Sequence, residues 1–442
     1  MEQNSCDSCG IARLPRPRRK RSDRGGLGAS PRKAQLFCGI STIKNFKLNL
    51  YIIYLRKERI KLKKDISSIY YIRIMAMLMV VLVHTTAQIF HLFEPHTFQH
   101  QAYHFINRII RVESSLFIML VGIVFFYNYR TRDLTKDVFK SYWKKRVFFI
   151  LIPYILWSVF YEFFNVHLGT RTFNFAEFWH RILNGGSHYQ LWFIYLIVQF
   201  YLVFPVVLVI VRRSEFLRKH FWLIGFLIEF VFFILNMKYR FTSAHFFLNY
   251  FAAFSLGAWI GLNYEVVSAK IRGWKIALAG AGSLLCGIIY VSIHYRNLFG
   301  EPVTIPVEYY RLVGIIFLTL GALFVFYISE KFVTLFGKNI TGKLKYLAVY
   351  SFGYYLVHPL VLYYVMLLFP TKGTGLSWHI MIAFQYALTV VVCYFFIWAF
   401  HRFVPFASLL FGKLPKDAPL FWKVNEPKRE VDGPKEAEAP NL

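Results

Sequence analysis

Arg73 and His84 stand eleven residues apart in an apolar stretch that reads Tyr70-Tyr-Ile-Arg73-Ile-Met-Ala-Met-Leu-Met-Val-Val-Leu-Val-His84-Thr-Thr-Ala-Gln88-Ile-Phe-His91. At about 100° per residue, eleven residues make three helical turns plus roughly 20° and a rise of about 16 Å, so both side chains share one face. Ionisable groups inside a membrane-length run are costly and by default mark function. An Arg at the edge of such a run can hold phosphate through its planar fork. A neutral His further in can act as a general base. Gln88 and His91 carry the polar stripe onward. The competing reading makes Arg73 a snorkelling anchor and His84 a hydrogen-bonding bridge to a neighbouring helix.

A second intramembrane histidine falls in Tyr350-Ser-Phe-Gly-Tyr-Tyr355-Leu-Val-His358-Pro359. His358 lies as far past the inner boundary of its run as His84 does, and Pro359 should kink that helix and free a carbonyl. Glu113 is a candidate orienting carboxylate, with an unpaired interfacial Glu as the alternative. Lys144, Lys145 and Arg146 form a basic cluster at the inner edge of a third run.

The elements that must position these groups are transmembrane helices. The chain of 442 residues is 57% hydrophobic and 20% aromatic, with only 17% charged residues, against roughly 25% in soluble domains. Ten apolar runs, near 72–93, 109–128, 147–165, 191–211, 221–237, 246–262, 274–293, 311–328, 346–369 and 378–400, approach the roughly 20 residues that a helix needs to cross hydrocarbon. Their unbroken character excludes a barrel, whose strands would alternate. The expected fold is all-α, a polytopic membrane protein of about ten helices.

Loop charge sets the expected orientation. The loops 129–146, 212–220, 263–275 and 329–345 hold 18 Lys or Arg, and the alternate loops hold 7. That asymmetry places both termini in the cytoplasm. It also accounts for the net charge of +29 without a nucleic-acid partner. The outward loops carry His96, His100, His104, His167, His180, His188, His245 and His294, read by default as exposed polar residues able to touch an acceptor.

Residues 1–65 hold 17 Lys or Arg against five acidic residues, including the run Arg13-Leu-Pro-Arg-Pro-Arg-Arg-Lys-Arg21. They are expected to be a basic, disordered or surface-associated cytoplasmic tail, without the apolar core of a signal peptide. No Met occurs between Met1 and Met75, which is also what a start site assigned too early would leave. Residues 66–405 are expected to form the membrane domain and 406–442 a cytoplasmic C-terminal tail. Cys6 and Cys9 make a lone CxxC with no second ligand pair, so neither a zinc site nor a disulfide framework is expected. No nucleotide-binding loop occurs either.

These motifs resemble the membrane acyltransferase 3 family. Arg73 and His84 match the signature that opens its first span. Trp143-Lys-Lys-Arg146-Val-Phe-Phe-Ile-Leu-Ile-Pro153-Tyr is similar to its basic approach to the third span. Leu191-Trp192-Phe193 with Phe200-Tyr-Leu and Phe204-Pro205 resembles the fourth, and Ser351 through Tyr355 to His358-Pro359 resembles a late Ser-Tyr-Leu-His-Pro motif. The resemblance runs in order from about 68 to 403. One departure is Phe117-Ile-Met-Leu-Val121-Gly122, which keeps the close-packing Gly of Phe-Phe-x-x-Ser-Gly and lacks its Ser. Phe254-Ser-Leu-Gly-Ala-Trp-Ile-Gly-Leu-Asn-Tyr-Glu265 is similar to the branch containing the intercellular adhesion protein C of biofilm operons.

The resemblance implies transfer of an acyl group from cytoplasmic acyl-coenzyme A to a surface polysaccharide or lipid-linked sugar at the plasma membrane. It implies His84 as general base and Arg73 with Lys144, Lys145 and Arg146 as donor-holding cations. His358, Trp192, Tyr355 and Gln88 would shape the site. Direct attack and relay through an acylated His84 both fit. Arg111 is the conceivable partner of a succinyl carboxylate. The rival expectations are a glycan exporter using the same polar interior, against which no internal repeat is visible, and a scaffold for a polysaccharide synthase.

Overall fold

In hydrocarbon an unpaired backbone N–H or C=O costs several kcal/mol, so apolar runs must close their hydrogen bonds within themselves. The computed structural model describes residues 65–88, 92–242, 245–371 and 375–423, and every regular element among them is helical. Residues 1–64 with Cys6 and Cys9, His91, and residues 424–442 lie outside the described residues.

The helices are α1 (Ser68–Ala87), α2 (Phe98–Ile109), α3 (Val112–Tyr129), α4 (Lys136–Arg146), α5 (Ile152–His167), α6 (Phe175–Asn184), α7 (Trp192–Arg213) and α8 (Glu215–Tyr239). They continue with α9 (Phe251–Leu262), α10 (Tyr264–Ala269), α11 (Gly273–Phe299), α12 (Val307–Val349), α13 (Ser351–Leu368), α14 (Leu376–Phe403) and α15 (Ala407–Phe411). Among the described residues, nine helical stretches are long and apolar enough to cross a membrane. Two of them join neighbouring elements: α2 with α3, and α4 with α5 through a wide π turn at Val147–Leu151. That turn precedes Pro153, which has no N–H to give to a regular ladder.

The sixth expected span takes a different form. It is a 3₁₀ turn, Phe247–Tyr250, followed by the twelve-residue α9. Four 3₁₀ residues at about 2.0 Å and twelve α-helical ones at about 1.5 Å reach roughly 26 Å, short of the roughly 30 Å of hydrocarbon. The shortening is possible because Glu229 of α8 accepts the orphan N–H of Ala252 at 2.9 Å. Glu229 is itself paired with Arg311 of α12 at 2.8 Å, and Arg311 also donates to the Asn249 carbonyl. A helix start buried within the bundle is thereby satisfied.

The short helix packs between α3 and α8. Gly257 and Gly261 of α9 lie against the Met119 and Ile123 carbonyls of α3, Gly122 of α3 lies against that of Phe254, and a side chain at any of the three would meet that carbonyl. This small-xxx-small pairing is how membrane helices gain dispersion contacts where water supplies no drive. The glycine kept at 122 therefore serves packing.

α1 sits at the centre, in contact with α2, α3, α12, α13 and α14. Polar ties fix its register. Asn107 donates to the Val83 carbonyl at 2.6 Å and to Thr86 at 2.9 Å, Tyr71 meets Thr341 at 3.0 Å, and Tyr386 donates to the Leu78 carbonyl at 3.3 Å. Leu278 and Leu285 on α11, with Ile380 and Val391 on α14, are exposed and face where lipid would be.

Two segments expected as loop or tail are built into the bundle. α12 runs on past 328 to Val349, broken at Gly337, whose φ of 70° is left-handed. Residues 406–423 fold back onto the membrane domain instead of leaving it. Ala407 and Phe411 are buried, the Trp157 indole donates to the Leu410 carbonyl, and Trp398 donates to that of Ala418. Their apolar side chains explain why they pack.

Candidate active site

The Arg73–His84 stripe faces α13. Between them runs a thin seam lined on one side by Met77, Val80 and Val81 of α1 with Phe117 of α3, and on the other by Ser351, Tyr354, Tyr355 and His358. It encloses about 160 Å³ in all but is too narrow anywhere for a water molecule. Met77, Val80, Val81 and His84 follow Arg73 at helical spacing, so the seam climbs the face that carries both ionisable residues.

The two histidines meet across this interface. The His84 and His358 ring centroids are 5.1 Å apart, tilted by 30°. His358 is fully buried, and its Nδ1 donates to the Tyr354 carbonyl at 2.9 Å. A carbonyl only accepts, so in the neutral ring Nδ1 carries the hydrogen and Nε2 keeps its lone pair. No protein group among the described residues bonds that Nε2.

A loop closes over His84. Tyr189 lies 4.6 Å from it, centroid to centroid, and His188 stacks between Tyr189 at 4.4 Å and Tyr161 of α5 at 4.3 Å. The loop is held by a buried carboxylate on α5. Glu162 pairs with Arg181 at 2.9 Å and Arg171 at 3.2 Å, and Arg171 also donates to the carbonyls of Gly186 and Ser187. Gly185, at φ 73°, turns the chain against Trp192, where a side chain would not fit. Tyr161 donates to the Leu356 carbonyl at 2.7 Å and Tyr355 donates to that of Gln190, tying α5 and the loop to α13.

Arg111 and His188 both lie within electrostatic range of the His84 ring. Glu113, in the first turn of α3, is buried within range of Arg111 and Tyr355. At the other end of the stripe, Arg73 and Arg146 both act on the Tyr201 hydroxyl. Arg146 sits in an aromatic cage, 4.7 Å from the Phe125 centroid, 4.8 Å from Tyr142 and 5.2 Å from Tyr201.

The structure thus gathers His84, His358 and Tyr355 at one end and Arg73 with Arg146 at the other. Lys144 and Lys145 are exposed on α4, Gln88 is exposed as the C-cap of α1, and Trp192 stacks on His245 at 4.7 Å. His100 and His104, expected as exposed, are buried against Tyr295 and Phe299. Tyr161, Tyr189, Gln190 and the clamp at Glu162 are not singled out by the sequence pattern. Glu162 carries the signal that was available: a carboxylate inside the third apolar run, subject to the same reasoning as Arg73 and His84.

His188 gives the loop a pH dependence. Burial lowers its pKa below the ordinary 6.5, against a smaller opposing pull from its hydrogen bond to Gln190. The unfolded chain then binds a proton that the folded chain resists, so this contribution is complete above pH 6.5 and declines as the pH falls below it. Melting temperature recorded from pH 7.5 to 5.5 should drop on the acid side in wild type and drop less in His188→Gln. Parallel curves would remove His188 from the account.

No curated protein and no solved structure matches the chain. A family model described as an acyltransferase domain, Acyl_transf_3, matches residues 66–398. That stretch opens just before α1 and closes within α14, enclosing both histidines, both rim arginines and the loop between them, and the chain accordingly belongs to this family as a membrane-embedded acyltransferase.

Proposed function

We propose that the protein moves an acetyl or succinyl group from cytoplasmic acyl-coenzyme A to a hydroxyl of a cell-surface polysaccharide or lipid-linked sugar. It does so at the plasma membrane, with both termini in the cytoplasm, in the manner of the biofilm-polysaccharide branch. The observation that carries this reading is the seam between α1 and α13, with cations at one end and paired imidazoles at the other. Arg73 and Arg146 hold the donor's phosphates. The pantetheine arm parts the apolar seam and brings the thioester to His84. The acceptor oxygen then bonds to the thioester carbonyl carbon as its proton passes to His84. Collapse breaks the C–S bond, and the departing thiolate takes up that proton. The products are an ester and free coenzyme A, with no change of oxidation state.

The first test is coenzyme A release by reconstituted protein from acetyl- and succinyl-coenzyme A, with and without a crude surface-glycan extract. Release that requires the extract supports this reading. No release with either donor from folded protein turns attention to the exporter, whose measure is glycan flux. Arg111 favours a carboxylate-bearing donor, since it acts on His84 and its Nε is buried without a partner among the described residues. A charge-assisted hydrogen bond is worth about 1.5–3 kcal/mol, so Arg111→Gln should lower succinyl relative to acetyl turnover by about tenfold or more. Equal losses with both donors would remove Arg111 from donor choice.

A further inference from the structure

The face rich in loop cations holds a second cavity, of about 1020 Å³, which shares no residue with the His84–His358 seam. The chain leaves α9 at Leu262 and turns through Asn263 into α10, leaving a recess between the ends of α7 and α8 and the start of α11. Half-buried Trp259 and Tyr327 line its apolar side.

Six cations line this recess against one acidic residue, Glu215. Two are committed within the protein: Arg130 is held by both oxygens of Glu265, at 2.5 and 2.6 Å, and Arg212 donates to the Arg132 carbonyl at 2.8 Å. Arg218, Lys219 and Lys270 are exposed and form no ion pair among the described residues. Trp222 follows Arg218 by one helical turn on α8, also lines the recess, and is 43% exposed. Lining Val266 is exposed as well. Trp settles at headgroup level in a bilayer, and basic pockets between helices on the basic side take phosphate headgroups. A soluble polyanion would make no use of an aromatic wall turned toward hydrocarbon.

We propose that this recess binds an anionic phospholipid of the leaflet it faces, its phosphate among Arg218, Lys219 and Lys270 and an acyl chain along Trp222. The site is separate from the transfer chemistry and does not rest on it.

Native mass spectrometry of the delipidated full-length protein, titrated with phosphatidylglycerol, phosphatidylcholine or free coenzyme A, tests this. Wild type should prefer phosphatidylglycerol over phosphatidylcholine by about tenfold or more. The triple variant Arg218→Gln, Lys219→Gln, Lys270→Gln removes three cations worth roughly fivefold each, and its preference should collapse to about threefold or less. A charge-matched control, Lys136→Gln, Lys140→Gln, Lys338→Gln, alters exposed cations elsewhere and should keep the preference. The proposal is overturned if the control loses as much as the triple variant, if wild type shows no preference, or if coenzyme A displaces the lipid through the same three residues.

Discussion

His84→Ala, inserted and folded, should release coenzyme A 10²- to 10⁴-fold more slowly than wild type, the range general-base catalysis usually supplies. The loss should fall on kcat, because the proton moves only in the transition state and the proposed binding of the donor's phosphates is at the far end of the stripe. Folding should survive: His84 is half-buried, and α1 is fixed by bonds from Tyr71, the Val83 carbonyl and Thr86 that do not involve the ring. The neighbouring His358 makes the test sharper. Its Nδ1 is occupied by the Tyr354 carbonyl, so it meets the seam only through Nε2. If His84→Ala kept wild-type turnover while His358→Ala lost it, the base would be His358, and the roles of the two rings would have to be exchanged.

Gly257→Val should abolish folded protein altogether. A Cβ at 257 would fall on the Met119 carbonyl oxygen, far inside contact distance, and the obstacle is backbone that no rotamer change can move. α9 would have to lift off α3, opening the contacts at Gly261 and Gly122 together and pulling against the Glu229–Arg311 anchor at its start. Overpacking usually costs about 1–3 kcal/mol where side chains can shift, and a rigid clash belongs with the exceptional cases above about 4 kcal/mol. Size-exclusion chromatography in detergent should show aggregate where wild type gives one peak. Gly342 on α12, where an added methyl would meet nothing within 4 Å, is the internal comparison. Its change to Ala should be neutral or stabilise by up to about 1 kcal/mol. A monodisperse, thermally unshifted Gly257→Val would refute the close approach of α3 and α9.

Much of this was legible where the signal is local. Apolar runs declare helices because hydrocarbon permits little else, and the spacing of Arg73 and His84 places them on one face without tertiary information. The matching depth of His358 anticipates its meeting with His84. What was hidden depends on partners distant in sequence. The 246–262 run looks like any crossing helix; its late start is set by Glu229 and Arg311, on two other helices. His188 looks like an exposed loop residue until Glu162, Arg171 and Arg181 draw the loop inward. Phe411 looks like part of a tail because a five-residue helix has no period to read.

A protein that drew one substrate from each side of a bilayer, as proposed, would risk becoming a leak. Protons hop along files of water, and a standing aqueous channel from Arg73 to His84 would dissipate the ion gradient between catalytic cycles. The seam between α1 and α13 is instead shut by Met77, Val80, Val81 and Phe117, with no width for even one water. Under the proposed chemistry it opens only around an arm that fills it as it enters. On that proposal, the same side chains that guide the donor insulate the membrane when the donor is gone.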